Sequence, residues 1–153
     1  MKIHPTATVS QSAPLAASVS VGPHALIEGD VEVGGVCEIG AHAVVKRLVG
    51  GKSKIVRDAL PFFVTNGNPP RVRGLNSIGL RRAGFSAETR GPQKQAYQLL
   101  FRAGLPLLDA LTNIEHIDDE NVRHLAEFIR LSRRGVTRAR KSEDEPAAES
   151  LLV

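Results

Sequence analysis

The sequence predicts a β-solenoid followed by helices: a short parallel β-helix of hexapeptide repeats, about 3–4 coils long, capped by a C-terminal helical domain. Three observations carry this. Every sixth residue from Ile3 is aliphatic: Ile3, Val9, Leu15, Val21, Ile27, Val33, Ile39 and Val45. Four places further on stand only small or compact apolar residues: Ala7, Ala13, Val19, Ala25, Val31, Cys37, Ala43 and Val49. From Pro69 onward that period ends, and apolar residues recur at helical spacing.

Plain alternation of apolar and polar residues would make strands, but it would not confine the large aliphatics to every sixth place. A coil built of flat sides does. The aliphatics then stack inside a narrow prism, and the compact residues beside them leave room for that stack. Gly22, Gly34 and Gly40 directly follow Val21, Val33 and Ile39, where glycine is expected to open the backbone angles of tight corners. After Val45 the period slips by four residues, so Val49, Ile55 and Pro61 are expected to continue the aliphatic column and Ser53, Ala59 and Thr65 the small one. Lys46-Arg47-Leu48 sits at the slip as a small loop or a joint. With three hexapeptides per coil, residues 3–66 make about three and a half coils.

The helical half follows in order. Ser86 and Glu88, or Gly91-Pro92, open a helix that runs through residues 92–103 to the stop at Gly104, with Ala96, Leu99, Leu100 and Ala103 on one face. A short second helix is expected from Leu105 to Leu111. Asp118-Asp119-Glu120 places negative charge where a third begins, with Val122, Leu125, Ile129 and Ser132 facing inward and Gly135 ending it. The expected divisions are 1–66 for the β-helix, 67–136 for the helical domain, and 137–153 for a disordered tail containing Pro146 and four acids.

Charge is uneven along these divisions. The net charge of +4 combines −3 over residues 1–45, +10 over 46–102, +1 over 103–141 and −4 over 142–153. A middle segment this basic points to an anionic partner, or to a solvated face that keeps the chain soluble. Only six residues are aromatic, five Phe and one Tyr, and the first is Phe62. The first sixty residues therefore lack the faces a base-stacking surface needs. The Arg130–Lys141 run, six basic residues in twelve, reads as helix-end cations rather than a nucleic-acid contact. The longest uncharged stretch, Ile3 to Ile27, is interrupted by Pro, Ser, His and Gln, and neither a membrane span nor a secretory leader is expected. The single cysteine, Cys37, fills an internal small slot and fits a reducing compartment, hence a cytoplasmic location.

Beyond the period, three motifs stand out: Ile3-His4-Pro5-Thr6-Ala7 at the start, Gly67-Asn68-Pro69, and Gly74-Leu75-Asn76 leading into Gly79-Leu80-Arg81-Arg82-Ala83-Gly84-Phe85-Ser86. Together they resemble the acyl-carrier-protein–UDP-N-acetylglucosamine O-acyltransferases of lipid A biosynthesis, and the resemblance covers residues 1–136. It implies a left-handed β-helix and a homotrimer with sites between subunits. It also implies transfer of a hydroxyacyl chain from acyl carrier protein to UDP-N-acetylglucosamine. The family's base, a histidine in the middle coils, removes the sugar hydroxyl's proton without metal or other cofactor. That stretch has no counterpart here: the chain passes from Ala43-Val44-Val45-Lys46, similar to an early coil, to Val49-Gly50-Gly51-Lys52-Ser53, similar to the last. The resemblance therefore implies a shortened form lacking central coils, with impaired catalysis.

Site residues carried over on this resemblance are few. Asn76 and Arg82 match positions that contact the UDP-sugar, and Gly51 matches the position whose bulk limits acyl-chain length. Ile78 stands where the family has an acid, and Ala83 where some members have a second arginine. Other readings are open: Asn76 as a helix-entry residue, Arg82 as a solvated cation, Gly51 as a corner glycine. No catalytic residue is assigned. His24 and His42, eighteen apart, are expected to stack on successive coils, and two imidazoles are too few for a metal site. His4, His116 and His124 have no partnered carboxylate or nucleophile at suggestive spacing. The rivals to an acyltransferase are a non-catalytic trimeric scaffold, a sugar-nucleotide-binding module, and a deletion product.

Overall fold

The structure, a computed structural model, describes residues 1–29, 31–34, 37–46, 53–67 and 69–139. The chain forms β1 (Lys2–Ile3), β2 (Thr8–Val9), β3 (Ser20–Val21), β4 (Leu26–Glu28) and β5 (Val31–Val33). It continues through β6 (Glu38–Ile39), β7 (Val44–Lys46), β8 (Ser53–Ile55), β9 (Phe63–Asn66) and β10 (Arg71–Leu75). Among the described residues four helices follow: α1 (Ser77–Arg82), α2 (Gly91–Phe101), α3 (Leu107–Glu115) and α4 (Glu120–Leu131).

The strands build the three flat sides of a left-handed parallel β-helix of about three turns. β1, β3 and β6 form one side, β2, β4, β7 and β9 the second, and β5 with β8 the third. Lys2 lies opposite Ser20 and Ser20 opposite Glu38; Thr8 lies opposite Leu26 and Leu26 opposite Val44. Each step is 18 residues, three hexapeptides. The predicted columns are the core: Val21, Ile27, Val33, Ile39 and Val45 are buried, as are Val19, Ala25, Val31, Cys37 and Ala43. Each large aliphatic sequestered this way contributes about 1.5–3 kcal/mol. Ile3, at the first coil, is 40% exposed.

The last coil corrects the expected register. Val33 pairs with Ile55, 22 residues on, as the slip of four requires. Ile39, however, pairs with Ala59 and Val45 with Thr65, only 20 residues on, so two residues are given back between Ile55 and Ala59. Ala59 and Thr65 thus occupy the aliphatic column, and Pro61 lies outside it. The ladder explains why. Ala59 N–H donates to the Glu38 carbonyl at 2.9 Å, and proline in that place has no N–H to give. Arg47, Leu48 and Gly51, where a joint and a chain-length residue were expected, lie outside the described residues.

The corner glycines are needed, but for space. None of Gly22, Gly34 and Gly40 has a positive φ. A Cβ on Gly40 would meet Pro61 N at 2.6 Å, and one on Gly22 would meet Ala41 N at 2.9 Å. The left-handed corners are taken instead by His24 (φ 54°), His42 (φ 55°) and Phe62 (φ 69°), a conformation costing about 1–2 kcal/mol per non-glycine residue. Their rings stack coil upon coil. His24 and His42 are 5.0 Å apart at 20°, and His42 and Phe62 6.1 Å apart at 19°.

The helices close the C-terminal end around a second core that includes Leu60, Phe62, Phe63, Leu80, Leu100, Leu111 and Leu125. The β9–β10 hairpin and α1 were not anticipated. α2 begins at Gly91 with Pro92 in its first turn, and it buries Gln93, Ala96, Tyr97 and Leu100 rather than Leu99 and Ala103. α3 begins at Leu107, two residues later than expected, because Pro106 caps it with an extended backbone. Asp119 caps α4 by accepting from Val122 N–H at 2.9 Å, and also accepts from buried Gln93 of α2 at 3.2 Å.

Residues 137–139, expected to begin the tail, pack against the solenoid instead. Val136 pairs with Asp58 and Ala139 with Val72, and buried Thr137 donates from both N–H and Oγ1 to the Asp58 carbonyl. Residues 140–153 lie outside the described residues. No described helix is long and apolar enough to cross a membrane.

Candidate functional site

Where α1 meets the solenoid, a groove of about 730 Å³ opens between the helix N-terminus and the side made by β2, β4, β7 and β9. Leu26, Val44 and Val64 form its floor in one column, and Leu75 adds an apolar edge. Polar groups come from Thr6, His24, Glu28, Lys46, Asn76 and Arg82. The groove therefore combines an apolar base with a few convergent polar groups, as small-molecule sites do.

Both predicted contact residues lie here, in different states. Asn76 is 8% exposed and its amide is already engaged. Its Oδ1 accepts from Gly79 N–H at 3.0 Å, capping α1, and its Nδ2 donates to the His42 carbonyl at 3.0 Å. One hydrogen and one lone pair are left to offer a ligand. Gly79 must be glycine for this cap, since a Cβ there would lie 2.3 Å from Asn76 Nδ2. Arg82 is exposed, and no described residue pairs with it. Its guanidinium is thus free to present a fork of donors to a phosphate. Ile78 is 59% exposed on the rim, and Ala83 caps the C-terminal end of α1.

Glu28 and Lys46 form an ion pair at 3.0 Å in the wall, each roughly half exposed. Thr6 accepts from His24 N–H at 3.0 Å and bonds His4 Nδ1 at 2.9 Å. In the sequence His24 reads only as part of a histidine stack, and Thr6, Glu28 and Lys46 carry no site role, although Thr6 and His24, like Glu28 and Lys46, are 18 apart, one coil. His24 also lines the groove, whereas His42 lies beneath it in the ring stack. Burial pushes the His42 imidazole below its ordinary value, and the neighbouring His24 adds to this. Among the described residues, no hydrogen bond orients the His24 ring, and no cluster of three or more His, Cys, Asp or Glu is placed to hold a metal ion. Cys37 is buried, and burial followed by the charge of Asp58 pushes its thiol up, away from reactivity.

A left-handed β-helix closed by helices, with a polar groove at the junction, defines a hexapeptide-repeat protein with a ligand-sized site. Residues 58–137 match the family model described as UDP N-acetylglucosamine O-acyltransferase, domain 2, and the chain belongs to that family. It is 41% identical over 133 residues to the acyl-[acyl-carrier-protein]–UDP-N-acetylglucosamine O-acyltransferase of Alkalilimnicola ehrlichii, covering 86% of this chain and 50% of that protein. It is 38% identical over 134 residues to the protein of that name from Nautilia profundicola, covering 87% and 50%. Among solved structures, the Acinetobacter baumannii LpxA aligns with a TM-score of 0.73 at 28% identity, covering 81% of this chain and 48% of that one. The Francisella novicida UDP-N-acetylglucosamine acyltransferase aligns at 0.77 and 26%, covering 91% and 50%. The chain spans about half the length of the curated relatives it matches.

Proposed function

We propose that this chain is a shortened UDP-N-acetylglucosamine O-acyltransferase that holds the sugar nucleotide in the α1 groove, and that these 153 residues transfer a hydroxyacyl chain slowly or not at all. The observation carrying the first part is Arg82, exposed in the groove wall without a carboxylate partner among the described residues. Its fork suits the diphosphate, while the Glu28 carboxylate and the spare amide hydrogen of Asn76 suit sugar hydroxyls. Equilibrium binding of UDP-N-acetylglucosamine tests it. Saturable binding lost in Arg82→Ala is expected; equal binding by both proteins overturns it.

The second part rests on the histidines. A general base needs a fixed tautomer within reach of the hydroxyl. In the groove His24 has neither a carboxylate nor a carbonyl bonded to its ring among the described residues, and the coils carrying the family's base have no counterpart here. A second reading, His24 as a working base, is favoured by its place in the wall. It requires turnover that disappears in His24→Ala. Acyl carrier protein is the proposed acyl donor, and its acidic surface suits the basic segment 46–102. A cytoplasmic homotrimer is proposed, and light scattering should return three times the 16.4 kDa chain mass. A trimer that binds without turnover would be the non-catalytic module.

A further inference from the structure

We propose a second anion site, sharing no lining residue with the groove, formed by Arg57, Arg71 and Arg138 around a pocket of about 220 Å³. Its ligand is a phosphate group. The three arginines come from separate parts of the chain, and the backbone holds each in place. Arg57 directly precedes Asp58, whose N–H donates to the Gly135 carbonyl and whose carbonyl accepts from Thr137. Arg71 opens β10 and pairs with Asn66. Arg138 accepts from Val72 N–H at 2.9 Å through its own carbonyl. Segment 136–139 thus brings a third arginine to the lining of the same pocket.

Among the described residues no carboxylate lines this pocket, and none of the three arginines has a hydrogen-bond or ion-pair partner among the described side chains. Three like charges lining one pocket repel one another, and an anion between them relieves that repulsion. Arginine's planar donors match the oxygens of phosphate in pairs. Size limits the ligand. Sites for whole drug-sized molecules run to about 300–1,000 Å³, so this pocket takes a phosphate group with little attached. Val56, Pro69 and Pro70 supply an apolar rim suited to the carbon next to that phosphate. This accounts for part of the basic segment that the groove does not use. It does not depend on the function proposed above.

Two sources share the chemistry: a free phosphate and a phospholipid headgroup. The test titrates the full chain with inorganic phosphate against chloride at matched ionic strength, by calorimetry. In parallel, flotation uses phosphatidylcholine vesicles with and without phosphatidic acid. Saturable binding in either arm is expected, and the arm names the source. Arg57→Ala and Arg138→Ala, both at exposed positions, should each weaken it at least tenfold, about 1.4 kcal/mol. Arg71→Lys, which keeps the charge but removes the fork, should also weaken it, while Arg82→Ala should leave it unchanged. Absence of saturable binding in both arms overturns the proposal, as does binding that all three pocket variants retain. Binding lost in Arg82→Ala but not in the pocket variants overturns it as well.

Discussion

Replacing Asn76 by alanine removes two hydrogen bonds, one that caps α1 and one that joins it to the solenoid. The first is the cap of α1, at 3.0 Å to Gly79 N–H; such caps are worth about 0.5–2 kcal/mol. The second is the 3.0 Å bond to the His42 carbonyl. Leaving a buried acceptor unpaired costs about 1–3 kcal/mol. The sum centres on about 2–4 kcal/mol, and for a chain of this size each kcal/mol moves Tm by about 2–4 °C. Thermal and urea unfolding by circular dichroism should therefore show Tm lowered by roughly 5–15 °C with an unchanged urea slope. Asn76→Ser keeps a capping oxygen and loses only the His42 bond, so it should fall between the two proteins. A melting point within about 2 °C of wild type for Asn76→Ala would mean that the amide bridges nothing that matters to folding.

Four further outcomes follow from other contacts. Arg82→Ala should melt with the parent protein, because its side chain has no described partner to lose. Gly40→Ala should destabilise by about 1–3 kcal/mol or prevent folding, since the new methyl meets backbone and ring of Pro61. Asp58→Ala loses the bonds from Glu38 N–H at 2.8 Å and Ser132 Oγ at 2.6 Å. It should raise hydrogen exchange at the Thr137 amide, where the released segment is held. The His42 imidazole titrates below its ordinary value when folded, so its contribution to stability is full above pH ~6.5 and is lost as pH falls through the folded value. Asn tolerates the left-handed corner, so His42→Asn should flatten that part of the stability–pH curve. Burial and then Asp58 raise the Glu38 value; its effect runs the other way and should persist in the variant.

The solenoid was legible because one physical constraint, a narrow interior, repeats every six residues and leaves the same mark at Ile3 through Val45. Where the repeat is broken the mark weakens. The two residues given back before Ala59 follow from proline's missing N–H at position 61, and the six-residue spacing counts residues without weighing ladder donors. The corner glycines were located correctly and explained wrongly. Sequence suggests backbone freedom, while the structure uses the missing Cβ to admit the next coil. Gln93 and Tyr97 escaped the predicted core because each carries a polar end, which in the fold reaches Asp119 and the Arg73 carbonyl. Asn76 and Arg82 stand out in the sequence through a motif, and both line the groove. Their difference, one amide committed to structure and one guanidinium left open, arises from contacts with His42 and Gly79 across the fold. The groove's other polar pairs stand one 18-residue coil apart, a spacing the repeat predicts, but which stacked positions face α1 depends on where that helix docks.

The proposed function requires a groove that holds the sugar nucleotide without a positioned base. An acyl-transfer assay with hydroxyacyl carrier protein and UDP-N-acetylglucosamine, at concentrations where the nucleotide sugar is bound, tests this directly. Bound substrate is expected, with acylated sugar forming far more slowly than with a full-length relative or not at all above the uncatalysed background. Product formed at the rate of a full-length relative assayed alongside would contradict it.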